Sequence, residues 1–247
     1  MRTAFDFDLI QPPATPRAIA TPERAVPLAG QADRRIPRAA KLAFTAFMAV
    51  LVPFYWATYG PSNFLYFCDV ALFLTLAGMW LERPLLIGMA AVGIVVPQLL
   101  WVVDFVGGLV GAHPIGMTRY MFRTDLSGFA RGLSLFHGWL PFLLVWLVKR
   151  VGYDRRSLAL WTASAWTLML VSYLFLPAPG TPGLDPNVPV NVNYVYGWAD
   201  DAAQSWVHPH AYLALLAIAL PALFWVPAHT VLRRWCDAPM LTGIHEA

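Results

Sequence analysis

The sequence is short of charged residues, and this shortage points to the class of protein. Only 13% of its 247 residues are charged, whereas 58% are hydrophobic. In a soluble globular chain about a quarter of the residues are charged. Aromatic residues make up 14% of the chain, and tryptophan and tyrosine are typical of the two interfaces of a membrane. We therefore expect most of the chain to lie in lipid rather than in water.

Lysine and cysteine are also scarce, which excludes several kinds of site. The lysines are Lys41 and Lys149, and neither falls in the middle of an apolar run, so a retinal Schiff base is excluded. The cysteines, Cys68 and Cys236, fall on opposite sides of the predicted membrane, and we expect no disulfide between them. The sequence also lacks a Walker loop, a dinucleotide-binding glycine pattern, a CxxCH haem motif and the clustered histidines of membrane desaturases.

Six apolar runs are long enough to cross a bilayer, which takes roughly 20 helical residues. They cover about 41–59, 62–81, 84–110, 129–148, 157–177 and 205–231. Residues 1–40, rich in Pro, Ala and Arg, are predicted to form a disordered tail rather than a cleaved signal peptide, and 235–247 a second short tail. The expected fold is an all-α polytopic membrane protein, with a six-helix transmembrane bundle inside residues 41–234.

The distribution of basic residues indicates the orientation of this bundle, because cytoplasmic loops are enriched in Arg and Lys. Basic residues precede the first span, separate spans two and three and spans four and five, and follow the sixth, whereas segment 178–204 has none. Both termini are therefore predicted to be cytoplasmic, in the inner (plasma) membrane of a bacterium. The expected partners are membrane lipids and not nucleic acid, with protein partners and oligomeric state left open.

Several predicted helices carry ionisable residues at a common depth. At about 1.5 Å per helical residue, Asp69, Asp104 and His137 each lie about two turns from the outer end of their span. His208 and His210 occupy the first turns of the sixth span. An aspartate facing lipid costs about 2.5–3.5 kcal/mol, so such residues usually face the bundle interior. We expect a polar pocket open to the outer face, in which His137 meets Asp69 and Asp104. The structural alternative is that these residues only lock the helices together.

Two outer segments offer candidate substrate-binding groups. In VPVNVNYVY, Asn191 and Asn193 fall on one side of a predicted extended strand, which could cover the helix ends as a lid or only cap them. Arg119 and Arg123 lie in the outer loop 111–128, and Arg131 stands at the head of the fourth span. These cations could bind a lipid phosphate or a carboxylate, and headgroup contact without turnover is the simpler interpretation.

A metal-free reaction is one chemistry that this residue set allows. His137 would act as general base, with Ser134, Thr75 or Tyr66 as nucleophile or proton donor. Ser134 lies three residues before His137, on the same helix face. Asp69 would then orient the imidazole ring, as the third group of a catalytic triad does.

A metal-dependent reaction is the other chemistry that this residue set allows. His208 and His210, together with two aspartates, are ligands that zinc or a similar divalent ion accepts, with a position left for water. The sequence has no HExxH or comparable compact signature. Residue spacing alone therefore does not choose between the two chemistries.

Two segments resemble known membrane proteins. The runs SNFLYFCDVALFLT, opening the second span, and FHGWLPFLLVW, in the fourth, resemble uncharacterised bacterial integral membrane proteins described only as membrane-associated. More distantly, the chain is similar to the six-helix family named for androgen-induced proteins, membrane hydrolases of fatty-acid esters that use a threonine nucleophile and a histidine. That resemblance implies a catalytic role for His137. Tyr66 stands where the family's threonine would fall, which departs from the pattern.

These observations leave two classes of function. The first is an intramembrane hydrolase or transferase that acts on a lipid-like substrate from the outer side. The second is a non-enzymatic membrane scaffold, a lipid-binding protein or an accessory subunit. A proton-coupled transporter is disfavoured, because only Gln98 continues the polar path towards the inner side.

Overall fold

The computed structural model describes residues 35–124, 126–185, 187–199 and 202–237. In these ranges the chain is helical and contains no strand, which confirms the all-α class for this part of the protein. Residues 1–34 and 238–247, which hold most of the two predicted tails, lie outside the described residues. The helices are α1 (Arg38–Tyr59), α2 (Phe67–Leu81), α3 (Pro84–Leu109), α4 (Gly128–Ser134), α5 (Phe136–Val151), α6 (Ser157–Phe175), α7 (Pro209–Leu220) and α8 (Val226–Asp237).

Among the described residues, five helical segments are long and apolar enough to cross a membrane, as expected of a multi-pass membrane protein. They are Arg38–Tyr59, Pro84–Leu109, Gly128–Val151, Ser157–Phe175 and Pro209–Trp235. The remaining predicted span, 62–81, holds α2, which is apolar but has only 15 residues. The residues before it, Pro61–Leu65, form a 3₁₀ turn. A proline favours the first position of such a helical segment because its φ angle is already fixed there.

The centre of the fold is α3, which packs against α2, α5 and α6. Its sequence is apolar on every side, a pattern typical of a helix buried all round. Small residues let its neighbours approach closely: Gly88 lies against the side chain of Ser157, and Gly93 against the indole of Trp161. A side chain at either glycine would push α6 away. The position of α3 also places Trp101 and Asp104, near its C-terminal end, inside the protein.

Two predicted spans are interrupted helices. The fourth breaks at Leu135, between α4 and α5. In the sixth, a π-helical turn at Pro221–Trp225 joins α7 to α8. Proline has no N–H to bond the carbonyl four residues earlier, and that carbonyl, of Ala217, instead accepts a hydrogen bond of 3.0 Å from Trp166 Nε1.

The helix ends form two regions, named here the basic end and the loop end. At the basic end, Lys41 Nζ of α1 lies 2.7 Å from the Glu82 carboxylate in the α2–α3 turn. Arg150 of α5 donates a hydrogen bond of 2.8 Å to the Arg35 carbonyl, and Lys149 lies over the ring of Trp235 of α8. The loop end comprises the opposite ends of these helices and the connecting segments 110–127 and 176–208.

Candidate functional site

A cluster of hydroxyl groups lies inside the loop end of the fold. We name Tyr55, Tyr120 and Ser134 the hydroxyl cluster. The hydroxyls of Tyr55 and Ser134 are 3.5 Å apart, and the Tyr120 hydroxyl lies close enough to the Ser134 side chain to interact with it. Trp101 Nε1 of α3 donates to the Tyr120 hydroxyl at 3.2 Å. Burial raises the pKa of Tyr120, with its hydrogen bonds to Trp101 and Ser134 acting in the opposite direction, so this hydroxyl keeps its proton at neutral pH.

Asp69 lies beside this cluster and is only 3% exposed. It belongs to the first turn of α2, where the helix dipole favours a negative charge. Its Oδ2 atom accepts from Asn63 Nδ2 at 3.3 Å and lies 3.8 Å from Cys68 Sγ. Its Oδ1 atom is buried, and none of the described residues donates a hydrogen bond to it. The carboxyl group is within electrostatic range of the Tyr55 hydroxyl. Asp69 is therefore a buried acid with one oxygen still open to a donor.

His137 borders the hydroxyl cluster through Trp101. Its ring stacks on Trp101 at 5.3 Å and on Phe136 at 4.0 Å between centroids. Its Nδ1 atom lies 2.8 Å from the carbonyl oxygen of Ser134. A carbonyl only accepts hydrogen bonds, so the proton is on Nδ1 and, in the neutral ring, Nε2 is the basic nitrogen.

The expected meeting of His137 with the two aspartates is not what the structure shows. In the described ranges, no hydrogen bond or ion pair joins His137 to Asp69 or Asp104. Nor do the side chains of Ser134 and His137 form a nucleophile–base pair. The Ser134 hydroxyl lies 3.5 Å from that of Tyr55, and the His137 ring bonds to the backbone carbonyl of Ser134. Of the predicted catalytic residues, Ser134 belongs to the hydroxyl cluster, Asp69 lies within electrostatic range of its Tyr55 hydroxyl, and His137 borders it through Trp101.

Asp104 serves the fold instead. It is fully buried, and its two oxygens accept four hydrogen bonds from the loop that follows α3. The donors are the backbone N–H groups of Ile115, Gly116 and Thr118, at 2.7–2.9 Å, and the Thr118 hydroxyl, at 2.7 Å. A carboxylate with this many donors is a fully satisfied anchor. It holds the loop that carries Tyr120 against α3.

The predicted strand at 188–196 is wrong. The segment forms a 3₁₀ turn at Val192–Tyr194, with positive φ angles at Asn191, Asn193 and Tyr194. Asparagine tolerates this conformation because its short polar side chain bonds locally to the backbone, so the alternation of apolar and polar residues here does not reflect a strand. Both asparagines are buried, and their amides bond to the chain itself.

Asn193 ties the turn to the start of α2. Its amide nitrogen donates to the Leu65 carbonyl at 2.9 Å, and its amide oxygen accepts from the Phe67 N–H at 3.0 Å. Asn191 closes its own loop by donating to the carbonyls of Gly197 and Ala199. The segment therefore caps the start of α2, where its bond to Phe67 lies two residues before Asp69. The amide donors predicted to bind a substrate are used in hydrogen bonds within the chain.

The other predicted residues lie around the same end. Arg119 and Arg123 are exposed, and Arg131 in α4 is half-buried. Tyr66 is half-buried and precedes α2 as its N-cap residue.

The two histidines proposed as metal ligands lie at the start of α7. His208 is the N-cap residue, and its Nδ1 accepts a hydrogen bond of 3.3 Å from the His210 N–H. Both side chains are exposed, and their ring centroids are 5.0 Å apart. Within the part of the chain that the structure describes, no three His, Cys, Asp or Glu residues are grouped closely enough to hold a metal ion.

Two members of the hydroxyl cluster, Tyr55 and Tyr120, were missed from the sequence. Near the end of a span, tyrosine is typical of an interface anchor. Tyr55 nevertheless belongs to the buried face of α1. That face also contains Phe44, Met48 and Leu51, at helical spacing. That periodicity was the available signal that its hydroxyl faces inward. Tyr120 comes from a loop and gave no comparable signal.

Comparison with family models, curated proteins and solved structures finds no match at any of the three levels. The function is therefore inferred from the geometry of the site alone.

Proposed function

We propose that the chain is an integral membrane protein with six spans and with both termini on the cytoplasmic side of a bacterial inner membrane. In this arrangement α2 and the turn before it supply the sixth span, beside the five longer ones. An even number of spans puts Arg35 and Arg234 at the same end of the bundle. Basic residues favour the cytoplasmic side, so Asp69 and the hydroxyl cluster are assigned to the outer half of the membrane.

The protein acts, in this proposal, as a hydrolase or transferase on a lipid-like substrate, with Asp69 as the acid–base group. The observation that supports it is the buried Oδ1 atom of Asp69, to which no described residue donates a hydrogen bond. A buried carboxyl group with an unsatisfied oxygen is costly to the fold, and a purely structural aspartate would be surrounded by donors, as Asp104 is. Intramembrane acids that face the protein interior are characteristic of functional sites.

The site's groups suffice for cleavage of an ester. The Asp69 carboxylate removes a proton from water, or from an acceptor alcohol, as its oxygen attacks the acyl carbon. The Tyr55 hydroxyl donates a hydrogen bond to the oxyanion that forms. Collapse of this intermediate breaks the bond to the leaving alcohol, which takes the proton back from Asp69. The carboxylate is thereby regenerated, and Nε2 of His137 provides a second base at the border of the cluster.

A second candidate is a non-enzymatic scaffold, a lipid-binding protein or an accessory subunit. It is favoured by Asp104, Asn191 and Asn193, each of which uses its polar atoms within the chain. If Asp69 also serves only the fold, its replacement will lower stability and leave membrane lipids unchanged.

The test uses the purified full-length protein in nanodiscs of bacterial polar lipid extract, in water enriched in oxygen-18. We expect the wild type to release fatty acids that contain the label, or to form new lipid esters if an alcohol is the acceptor. Asp69→Asn should lower the rate by about 10²–10⁴-fold, the usual contribution of a general acid–base group. Glu82→Gln is the matched control, since it makes the same change at the basic end. A rate unchanged in Asp69→Asn, or no reaction by the wild type, would contradict the proposal.

A further inference from the structure

A narrow groove separates α6 from α7, and both helices belong to segments long enough to cross the membrane. The two helices touch at both ends of this groove. Trp166 Nε1 of α6 donates a hydrogen bond of 3.0 Å to the Ala217 carbonyl of α7. Nearer the loop end, the rings of Tyr173 and His210 lie 5.7 Å apart in an edge contact. The two contacts are seven residues apart along each helix, which corresponds to about 10 Å.

The walls of this groove are apolar, and its volume is about 290 Å³. The residues that line it include Met169 and Leu170 of α6 and Leu213 and Ala214 of α7. The N–H group of Trp166, at the deeper end, is already bonded to α7. Trp166 and Leu170 are 46% and 52% exposed. The groove therefore opens on the outer surface of the helices, which lipid covers in a membrane.

Two histidines lie at the mouth of the groove, at the loop end. His210 lines the groove, and the ring of His208 lies 5.0 Å from that of His210. Nδ1 of His208 accepts a hydrogen bond from the His210 N–H, so a neutral His208 carries its proton on Nε2, where it can be donated. Both side chains are exposed. Polar groups at the end of the span are thus followed by apolar walls, the same order as the headgroup and the acyl chains of a phospholipid.

The dimensions of the groove fit one hydrocarbon chain better than a helix. The hydrocarbon core of a bilayer is about 30 Å thick, so a groove of about 10 Å covers most of one leaflet. It also runs along the helices, as acyl chains do. A helix with its side chains is about 10–12 Å across, and a 10 Å length of it fills about 800 Å³. The groove holds far less than that. A gap between helices forfeits dispersion contacts unless a chain fills it.

We propose that the groove between α6 and α7 binds one acyl chain of a membrane phospholipid, whose headgroup lies beside His208 and His210. Association within a bilayer depends on van der Waals packing, since lipid tails are as apolar as the helices. A chain in the groove contacts two helices at once, whereas a chain on the convex surface of the bundle contacts one. The bound lipid is therefore held longer than its neighbours. This site does not involve Asp69 or the hydroxyl cluster and is independent of the proposed reaction.

The experiment uses the full-length protein in nanodiscs that contain an ether-linked phosphatidylglycerol with a photoreactive diazirine on one alkyl chain. The ether bond keeps the probe intact even if the protein cleaves esters. After illumination, mass spectrometry of the digested protein locates the crosslinks. We expect enrichment at Leu170, Leu213 and Ala214 of at least about fivefold, equivalent to about 1 kcal/mol. The reference positions are Leu174 and Ile218, which are 65% and 68% exposed on the same helices but lie outside the groove.

Ala214→Phe places a ring in the groove and should lower the crosslink yield at Leu170 at least about fivefold, because the ring takes the volume of the chain. Ala163→Phe is the matched control, since Ala163 is also an exposed alanine on a spanning helix but does not line the groove. Its yield should stay within about twofold of the wild type, as for independent sites. If Ala214→Phe fails to fold, the crosslink positions in the wild type decide the question.

Two results would indicate ordinary boundary lipid and overturn the proposal. They are crosslinks that follow side-chain exposure alone, and an unchanged yield at Leu170 in Ala214→Phe. The particle mass, measured in the same nanodiscs, tests the other occupant of such a groove. A wild-type dimer that becomes a monomer in Ala214→Phe would show that a second copy of the chain occupies the groove, which would also overturn the proposal.

Discussion

Asp69 and Asp104 are two buried aspartates near the same end of the bundle, and their surroundings differ sharply. Asp104 accepts four hydrogen bonds at 2.7–2.9 Å from the loop after α3. Asp69 accepts one, at 3.3 Å from Asn63, besides the weak contact with Cys68, and its Oδ1 has no donor among the described residues. Both carboxyl groups are removed from solvent.

Because the two aspartates differ in their hydrogen-bond donors, depth in a membrane does not by itself identify a functional residue. A buried carboxylate needs donors, whatever its role. Asp104 obtains three donors from the backbone and one from the Thr118 hydroxyl, and its negative charge is thereby part of the fold. Asp69 obtains few, so its second oxygen is available to a substrate or to water. The count of hydrogen-bond donors separates the two residues where their depth does not.

The largest effect on stability is expected for Asp104→Asn. The amide keeps one acceptor oxygen, but it loses the charge and turns an NH₂ group towards N–H donors. We expect the free energy of unfolding to fall by about 3 kcal/mol, since hydrogen bonds to charged groups contribute about 1.5–3 kcal/mol each and unpaired donors add a penalty. Thermal unfolding of the wild type and the variant in detergent measures this loss of stability.

Thr118→Val tests one of the four hydrogen bonds to Asp104 alone, because it removes only the hydroxyl donor and leaves the three backbone donors. Its loss should be about 1 kcal/mol. A loss for Asp104→Asn no larger than that would contradict the anchor role of Asp104.

The next effect is expected for Asn193, the residue that caps the start of α2. Asn193→Ala removes the bonds to Leu65 and Phe67 and leaves a residue with φ of 59° that alanine adopts poorly. We expect a loss of about 2 kcal/mol in unfolding free energy. Asn193→Gly removes the same bonds without the backbone strain, and should be about 1 kcal/mol less harmful than alanine. Equal losses in the two variants would remove backbone strain from the explanation.

The smallest effect is expected at the basic end, for the Glu82 carboxylate. The hydrogen bond from Lys41 lowers the pKa of Glu82 below its ordinary value, and the charge of Lys41 acts in the same direction. The folded state therefore gains stability that is complete above the ordinary pKa and is lost as the pH falls through the lowered one.

Glu82→Gln should accordingly cost about 1 kcal/mol or less at pH 7, because the Glu82 carboxylate is partly exposed and solvent screens its attraction to Lys41. The cost should shrink as the pH falls through the lowered pKa of Glu82, because the wild-type carboxyl group then becomes protonated. Unfolding temperatures of the two proteins across this pH range provide the measurement. A constant difference at every pH would contradict the electrostatic origin.

The all-helical fold and the positions of its apolar helices could be predicted because lipid leaves a chain few ways to satisfy its backbone. The third predicted span, 84–110, differs from α3 (Pro84–Leu109) by one residue. The turn before it is marked by Pro84, which cannot continue a preceding helix. Such boundaries depend on local sequence, which a single chain displays.

The partners of each polar residue could not be predicted, because they depend on how each helix is rotated and where it breaks. Three-residue spacing puts Ser134 and His137 on one face of a helix, yet the Ser134 hydroxyl lies next to Tyr55 and the His137 ring bonds to the Ser134 carbonyl. The donors of Asp104 come from a loop 11 to 14 residues later in the chain, which helical periodicity does not describe. Asn193 likewise bonds to the backbone of Phe67 and Leu65, which lie 126 and 128 residues earlier in the chain.

The most direct measurement compares the unfolding temperatures of Asp69→Asn and Asp104→Asn, purified in the same detergent. Our account predicts a clear loss for Asp104→Asn, and a temperature equal to or above that of the wild type for Asp69→Asn, because the amide removes an ionisable group that the fold leaves incompletely bonded. A loss in Asp69→Asn as large as that in Asp104→Asn would contradict the account, since Asp69 would then be a second structural anchor.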